Sequence, residues 1–344
     1  MTKFIINLAI YLELGDLPEG CEDVEKREKP SNILVLLHPD HWYVAKYFQK
    51  YSNVFLPQLN HTCSPMWKIH RIPGKIKSEI IFPRGDSLKI LRYFFNPPHS
   101  TRFCHDPESI DMIFVSDPVM CNFNFKPYKN AIKVYWAQDS VYPSSYYNHM
   151  LSIGLENYDV VFVAHKKYIS DYSRYTNNVF WLPYAYDPDI YHPLDTKKTY
   201  DVAFIGSMDA ERRATMDAVR SNYSNLKVFS GELWQLDANY AYNQSKVVLN
   251  LARIGEMNWR TFEVLGSGSF LLNSFSDELT EIFSDGTDFV MFKNKRDLIE
   301  KIGYFINNDS LSYKIAQTGH ENVANNHTLE ERVKLILSKY SIME

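Results

Sequence analysis

The sequence predicts an α/β protein built from two Rossmann-like, doubly wound domains that face each other across a cleft. Three observations carry this prediction. Short apolar runs rich in β-branched residues recur along the chain, amphipathic stretches separate them, and a proline-rich seam interrupts the pattern near its middle. A length of 344 residues suits two domains at roughly 100–200 residues each.

The candidate strands in the first half are 33–37, 54–56, 112–115, 132–136 and 160–163. In the second half they are 202–205, 228–229, 247–251, 270–272 and 289–292. Most are continuous and do not alternate with polar residues, as expected for strands of a parallel sheet covered on both faces. Between them, 209–223 places Ala210, Ala214, Ala218 and Val219 at helical spacing, and 295–307 does the same with Leu298, Ile299, Ile302 and Phe305. Alternation of strand and helix implies right-handed crossovers and parallel sheets. Residues 57–110 are irregular and include Pro97 and Pro98. Residues 328–340 form an amphipathic segment through Leu329, Val333, Leu335 and Ile336, suited to docking on a domain.

The seam runs from Leu182 to Pro193 and contains three prolines in twelve residues, a poor helix or strand. It divides the chain into an N-terminal Rossmann-like domain over 1–183, a C-terminal Rossmann-like domain over 184–328 and a terminal helix over 329–344. Ligands of such folds bind outside the carboxyl ends of the strands.

Composition narrows the classes of partner. With 37 basic and 41 acidic residues the net charge is −4, and no long basic run occurs, so general nucleic-acid binding is not expected. Cys21, Cys63, Cys104 and Cys121 form no C-x-x-C pair, which fits free thiols in a reducing compartment. Residues 1–12 read as a first strand rather than a signal peptide. No apolar run approaches the roughly 20 residues of a transmembrane helix. A soluble, cytoplasmic protein is expected.

Two constellations suit phosphate chemistry. In Phe204-Ile-Gly206-Ser207-Met-Asp-Ala-Glu-Arg212-Arg213 an apolar strand runs into Gly-Ser and then a helix. Gly206 and Ser207 can let a phosphate approach backbone N–H groups, with Arg212 or Arg213 adding a cation; alternatively Gly206 only makes a tight turn and the arginines are a solvated face. In Asn250-Leu-Ala-Arg253-Ile-Gly-Glu256-Met-Asn258-Trp259-Arg260-Thr-Phe-Glu263-Val-Leu-Gly-Ser-Gly268 a strand ends, a polar loop follows and a helix begins near Asn258. Its first N–H groups suit a diphosphate, and Glu263 suits a ribose diol or a pair with Arg260 at i, i+3. Gly268 lets the helix end pack closely.

The order Ser245-Lys-Val-Val-Leu-Asn250, Arg260-Thr-Phe-Glu263 and Gly268 resembles the CgeB-like (spore maturation protein) glycosyltransferases, within the two-domain GT-B group. The seam 182–193, the following Asp201-Val-Ala-Phe-Ile-Gly-Ser207 and His327-Thr-Leu-Glu-Glu-Arg332 share the likeness, which covers roughly 130–340. The resemblance implies a glycosyltransferase, hexosyltransferase-like, with a UDP-linked sugar as donor and an unidentified acceptor, either a glycan, a protein or a small molecule. It implies no cofactor and no obligatory metal. Related enzymes use two carboxylates eight positions apart; Glu263 fits the second, while Gly255 holds the first position and Glu256 lies one residue off.

The expected donor contacts are Gly206, Ser207, Arg212, Glu256, Asn258, Trp259, Glu263 and Gly268. Arg213 and Arg260 are expected to neutralise the leaving diphosphate. Asp139, at the end of a strand in Trp136-Ala-Gln-Asp139, is either a general base or a helix cap. His38 and His41 follow another strand and suit acceptor contact or helix capping, with no third ligand to make a metal site. Asp187 and Asp189 mimic a metal-binding D-x-D but suit turn capping within the seam. The rival readings are a nucleotide-sugar epimerase and a non-catalytic sugar-nucleotide-binding or assembly protein.

Overall fold

The computed structural model describes residues 29–36, 43–56, 62–63, 70–72, 75–77, 102–104, 106–116, 122–123, 125–138, 154–252 and 255–340. The chain divides into two compact units, Met1–Leu182 with Val333–Glu344, and Pro183–Arg332.

In the first unit the strands are β1 (Asn32–Leu36), β2 (Asn53–Leu56), β3 (Thr62–Cys63), β4 (His70–Ile72), β5 (Lys75–Lys77), β6 (Arg102–Phe103), β7 (Met112–Ser116), β8 (Asn122–Phe123), β9 (Ile132–Ala137), β10 (Val160–Val163) and β11 (Val179–Trp181). Seven form one parallel sheet in the order β11-β10-β9-β7-β1-β2-β6. β3 pairs with β8, and β4 with β5, as small antiparallel ribbons. Two short helices, α1 (Tyr43–Gln49) and α2 (Ile169–Tyr172), are described here. Every residue of β7 and β10 is buried, as the continuous apolar runs require of strands covered on both faces. The strand order reverses between β1 and β7.

The second unit holds β12 (Tyr200–Ile205), β13 (Val228–Gly231), β14 (Ser245–Asn250), β15 (Leu271–Ser274) and β16 (Val290–Phe292). They form a parallel sheet in the order β13-β12-β14-β15-β16. Its helices are α3 (Ala210–Asn222), α4 (Gln235–Asn243), α5 (Trp259–Gly266), α6 (Lys295–Ile306) and α7 (Asp309–Asn326); α8 (Leu329–Ser338) follows. Val202, Phe204, Val247, Leu249 and Leu272 of the sheet meet Met216, Val219, Leu298, Ile302 and Ile315 of the helices in one core. Burial of each such side chain stabilises by about 1.5–3 kcal/mol. The strand order reverses between β12 and β14, so the crevice favoured for ligands lies beyond their carboxyl ends.

Helix starts follow local chemistry. Asp209 accepts from the Arg212 amide at 2.9 Å and opens α3, and Asn294 accepts from the Asp297 amide at 3.0 Å and opens α6. Gly266 and Gly319 are spots of close approach, where a β-carbon would strike the Tyr186 ring and the Asp288 carbonyl respectively. All ten expected strands are present over their described residues. Unexpected are β3, β4, β5, β6, β8, β11, α1, α2, α4 and α7, with β3 to β6 inside the stretch 57–110 that reads as irregular in the sequence. The predicted strand over 1–12 lies outside the described residues.

Candidate functional site

The candidate site is assembled where β12 and β14 deliver their loops. Gly206, directly after β12, has a φ of +149°, a conformation that favours glycine. Its amide donates to the Gly231 carbonyl at 2.8 Å, fastening the loop to the end of β13. The Arg260 guanidinium lies where a Gly206 β-carbon would stand. Arg260 comes from the first turn of α5, and its guanidinium carbon sits 5.0 Å from the centre of the Phe204 ring. This is a cation over an aromatic face. Arg260 Nη1 also donates to Asn250 Oδ1 at 2.9 Å.

Arg212 approaches the same ring, with its guanidinium carbon 5.4 Å from the Phe204 centre. Arg212 is buried: Nε donates to the Leu251 carbonyl at 3.0 Å, and Nη1 to the Ser207 carbonyl at 2.9 Å and hydroxyl at 3.1 Å. It therefore ties the loop after β12 to the loop after β14. Ser207 and Arg213 are exposed. The two adjacent arginines diverge, as residues about 100° apart on a helix must.

α5 begins at Trp259 with Asn258 in extended conformation before it, and the Asn258 side chain makes no capping hydrogen bond. Its first N–H groups and the positive end of its dipole open at the carboxyl edge of the sheet. The Trp259 ring stands edge-on to Tyr184, with centres 5.2 Å apart. One turn on, Glu263 receives the Tyr242 hydroxyl at 3.4 Å. Burial raises the Glu263 carboxyl above the ordinary range, while Arg260 and the hydroxyls of Tyr191 and Tyr242 counter it. Tyr242 is itself pushed well up by burial and then by the Glu263 charge. Glu263 is thus half-buried between two tyrosines and an arginine, beyond the simple i, i+3 pair with Arg260. Sequence reasoning missed Tyr191 and Tyr242, which lie in the seam and in an unrecognised helix.

Glu256 is half-buried in the loop that leads to α5, next to Gly255, which adopts φ +65° against the Phe275 carbonyl. Gly268, with φ +67°, ends the turn after α5 and packs on the Pro193 ring. The structure brings Gly206, Ser207, Arg212, Asn258 and Arg260 around one loop cluster and sets Glu263 behind Arg260. Glu256 and Trp259 flank the start of α5.

In the seam, Asp187 Oδ1 accepts from the Asp189 amide at 3.0 Å, and the Asp187 carbonyl accepts from Ile190 and Tyr191. Asp187 caps a turn, as expected of that motif. Among the described residues, no three His, Cys, Asp or Glu side chains gather as a metal site. Asp139, His38 and His41 lie outside the described residues, while Trp136, close to Asp139 in sequence, donates from Nε1 to the Leu182 carbonyl at 3.0 Å. Among the described residues no helix is long and apolar enough to cross a membrane.

Residues 189–338 match the family described as glycosyl transferase-like. A comparison with curated proteins finds no match. Among solved structures, Anabaena Alr3699/HepE in complex with UDP and glucose superposes with a TM-score of 0.59 at 11% identity, covering 91% of this chain and 100% of that one. Sucrose-phosphate synthase from Thermosynechococcus elongatus gives 0.57 at 10% identity, with 89% and 97% covered. TarM gives 0.51 at 14% identity over 67% of this chain; the match spans 54% of TarM's own length. At such identities the likeness is one of fold. Residues 189–338 thus carry a glycosyl transferase-like sequence, on a chain whose two parallel sheets with flanking helices have the α/β fold of GT-B glycosyltransferases.

Proposed function

We propose that the chain is a glycosyltransferase of the CgeB-like kind that takes its sugar from a UDP-linked donor bound at the carboxyl edge of the second sheet. The observation that carries this reading is the Arg260 guanidinium lying on Gly206 at the strand-order reversal, beside the open amino end of α5. A diphosphate needs close backbone approach, N–H donors and a cation, and these three meet there. Alr3699/HepE, solved with UDP and with UDP-glucose, supports the choice of nucleotide.

In this reading Arg260 and the α5 amides stabilise the charge that grows on departing UDP. Gly206 and Ser207 line the diphosphate, and Arg213, exposed one residue beyond the buried Arg212, reaches it from α3. Arg212 shapes the loop. Glu263 accepts the ribose hydroxyls. Glu256, Asn258 and Trp259 face the donor from the loop before α5, and Gly268 keeps that helix close to the sheet. Asp139 serves as base for an acceptor hydroxyl, with His38 and His41 on the acceptor side. Guanidinium and helix-end charge replace a divalent cation, so the reaction needs no metal.

The test is titration calorimetry with UDP and a panel of UDP-sugars, followed by turnover of the best binder with and without acceptor pools. Acceptor-dependent UDP release supports transfer. A new nucleotide sugar formed from donor alone identifies an epimerase, and tight binding with no turnover on any pool identifies a binding protein. Loss of all turnover in EDTA, restored by Mn²⁺ or Mg²⁺, overturns metal independence.

A further inference from the structure

The carboxyl halves of β14 and β15 each carry an asparagine with no exposed surface, Asn250 and Asn273. Arginine has only donors, so the Asn250 atom that faces Arg260 Nη1 at 2.9 Å is its oxygen. The Asn250 nitrogen then faces Asn273 Oδ1 at 2.7 Å and Thr261 Oγ1 at 3.0 Å. With its oxygen so used, Asn273 turns its nitrogen to the Ser274 carbonyl at 2.6 Å, and the Thr261 hydroxyl donates to Asn273 Oδ1 at 3.1 Å. Asn258 closes the set with a reciprocal amide contact to Asn250 at 3.0 and 3.3 Å. A single cation therefore sets the orientation of each amide in turn. A buried polar network with every member satisfied admits one arrangement, because a flipped amide leaves two like atoms facing each other.

The coupling also runs in reverse. The Phe204 ring supports the Arg260 guanidinium on its face, which fixes height but not rotation in the plane. Asn250 Oδ1 supplies one in-plane anchor, and the Tyr242 hydroxyl bonds the same guanidinium beside Glu263. We infer that Asn250, held by Asn273 and Thr261, is a positioning residue: it aims Arg260 across Gly206 so that the remaining guanidinium donors face the diphosphate. This rests on the donor site proposed above for its binding readout only.

The experiment is a double-mutant cycle read by UDP calorimetry, together with crystal structures of the wild type and the Asn250 variants. Asn250→Ala weakens UDP binding about tenfold, the scale of one hydrogen bond to a charged group. In an Arg260→Ala background the same change has an effect of under about twofold, because the two residues act as one unit. Asn250→Asp keeps an acceptor facing Arg260 but sets its second oxygen against Asn273 Oδ1 and Asn258 Oδ1, so it holds the guanidinium over Gly206 while recovering only part of the affinity. In crystals of Asn250→Ala the guanidinium leaves Gly206. Equal losses in both backgrounds, or a guanidinium still over Gly206 in Asn250→Ala, overturn the inference. If the wild type does not bind UDP, the donor reading fails, and the position of Arg260 in the variant crystal alone decides the positioning role. If Asn250→Ala does not fold, Asn250→Asp decides: Arg260 stays over Gly206, and its displacement there overturns the inference.

Discussion

The Arg260 guanidinium fills the space that a β-carbon on Gly206 would need. Gly206→Ala therefore does two things at once. It places an L side chain at φ +149°, a strain of about 1–3 kcal/mol, and it pushes the guanidinium off its seat. Stability falls by that amount in urea unfolding, and UDP affinity falls at least about tenfold by calorimetry, the worth of a lost charged hydrogen bond. A folded Gly206→Ala protein with unchanged UDP affinity places the diphosphate elsewhere.

Glu263 tests the ribose. Glu263→Ala takes the carboxylate from Tyr242 and Arg260 and costs about 1–3 kcal/mol of stability, with the fold intact. The discriminating measurement compares UDP with 2′-deoxy-UDP. The wild type prefers UDP, and Glu263→Ala binds the two alike. A variant that keeps the wild-type preference rules out Glu263 as the ribose acceptor.

Much of this arrangement was legible in the sequence. The runs that became β12 and β14 are continuous and β-branched, and Gly-Ser after one and a polar loop after the other mark strand ends at a crevice. The apolar spacing over 209–223 became α3, which the structure shows opened by Asp209 as its cap. Other parts left little trace. α4 and α7 lack a clean apolar stripe, because Tyr240 and Tyr313 face solvent and α7 carries Thr318 and Gly319 in its interior, residues of poor helix propensity. The tyrosine cradle of Glu263 joins position 191 to 242, and no local pattern reports such a contact. The polar network through Asn250 and Asn273 is not legible in the sequence, because it joins the ends of two strands that only the fold sets side by side.

His327 gives a pH dependence with a definite sign. Its Nδ1 accepts from Arg332 at 2.6 Å, and its ring lies near Phe262 and Phe283. Burial, then the Arg332 charge, lowers its pKa to about 3. The unfolded chain protonates this imidazole at about pH 6.5. Between those values the unfolded state binds a proton that the folded state refuses, so stability is lost as pH falls from about 6.5 toward 3. Between pH 7 and pH 5 the loss from this group is about 2 kcal/mol. Urea unfolding at both pH values, on wild type and His327→Gln, isolates it: the variant has the shallower acid slope. Equal slopes contradict a neutral, half-buried His327.

Gly319 lies mid-helix in α7, where a β-carbon would meet the Asp288 carbonyl and a methyl of Leu265. The carbonyl belongs to a turn fixed by the Asp288 carboxylate, which accepts from Ser284 N at 2.7 Å and from Asn322 at 3.2 Å. Alanine normally stabilises a helix interior by up to about 1 kcal/mol over glycine. Here overpacking of about 1–3 kcal/mol outweighs that gain. Gly319→Ala lowers the melting temperature; a rise would mean that α7 can move off the turn.

Arg212 and Arg213 are adjacent in sequence and are expected to fail in different ways. Arg212 is buried, and its donors are held by the Leu251 carbonyl and by Ser207. Arg212→Ala leaves those groups without their donor and costs about 1–3 kcal/mol. Its effect on binding is indirect, through the loop that carries Gly206. Arg213 is exposed on α3, so Arg213→Ala changes stability by less than about 0.5 kcal/mol. If Arg213 meets charge that develops on departing UDP, its loss lowers kcat more than it raises the donor KM. Lysine at 213 restores only part of the rate, because it keeps the charge without the planar fork. Urea unfolding and steady-state kinetics on Arg212→Ala, Arg213→Ala and Arg213→Lys separate the roles. A destabilised Arg212→Ala with a largely retained kcat, beside a stable Arg213→Ala with a reduced one, is the expected pair. The reverse pattern moves the diphosphate contact to Arg212 and makes Arg213 a solvated surface residue.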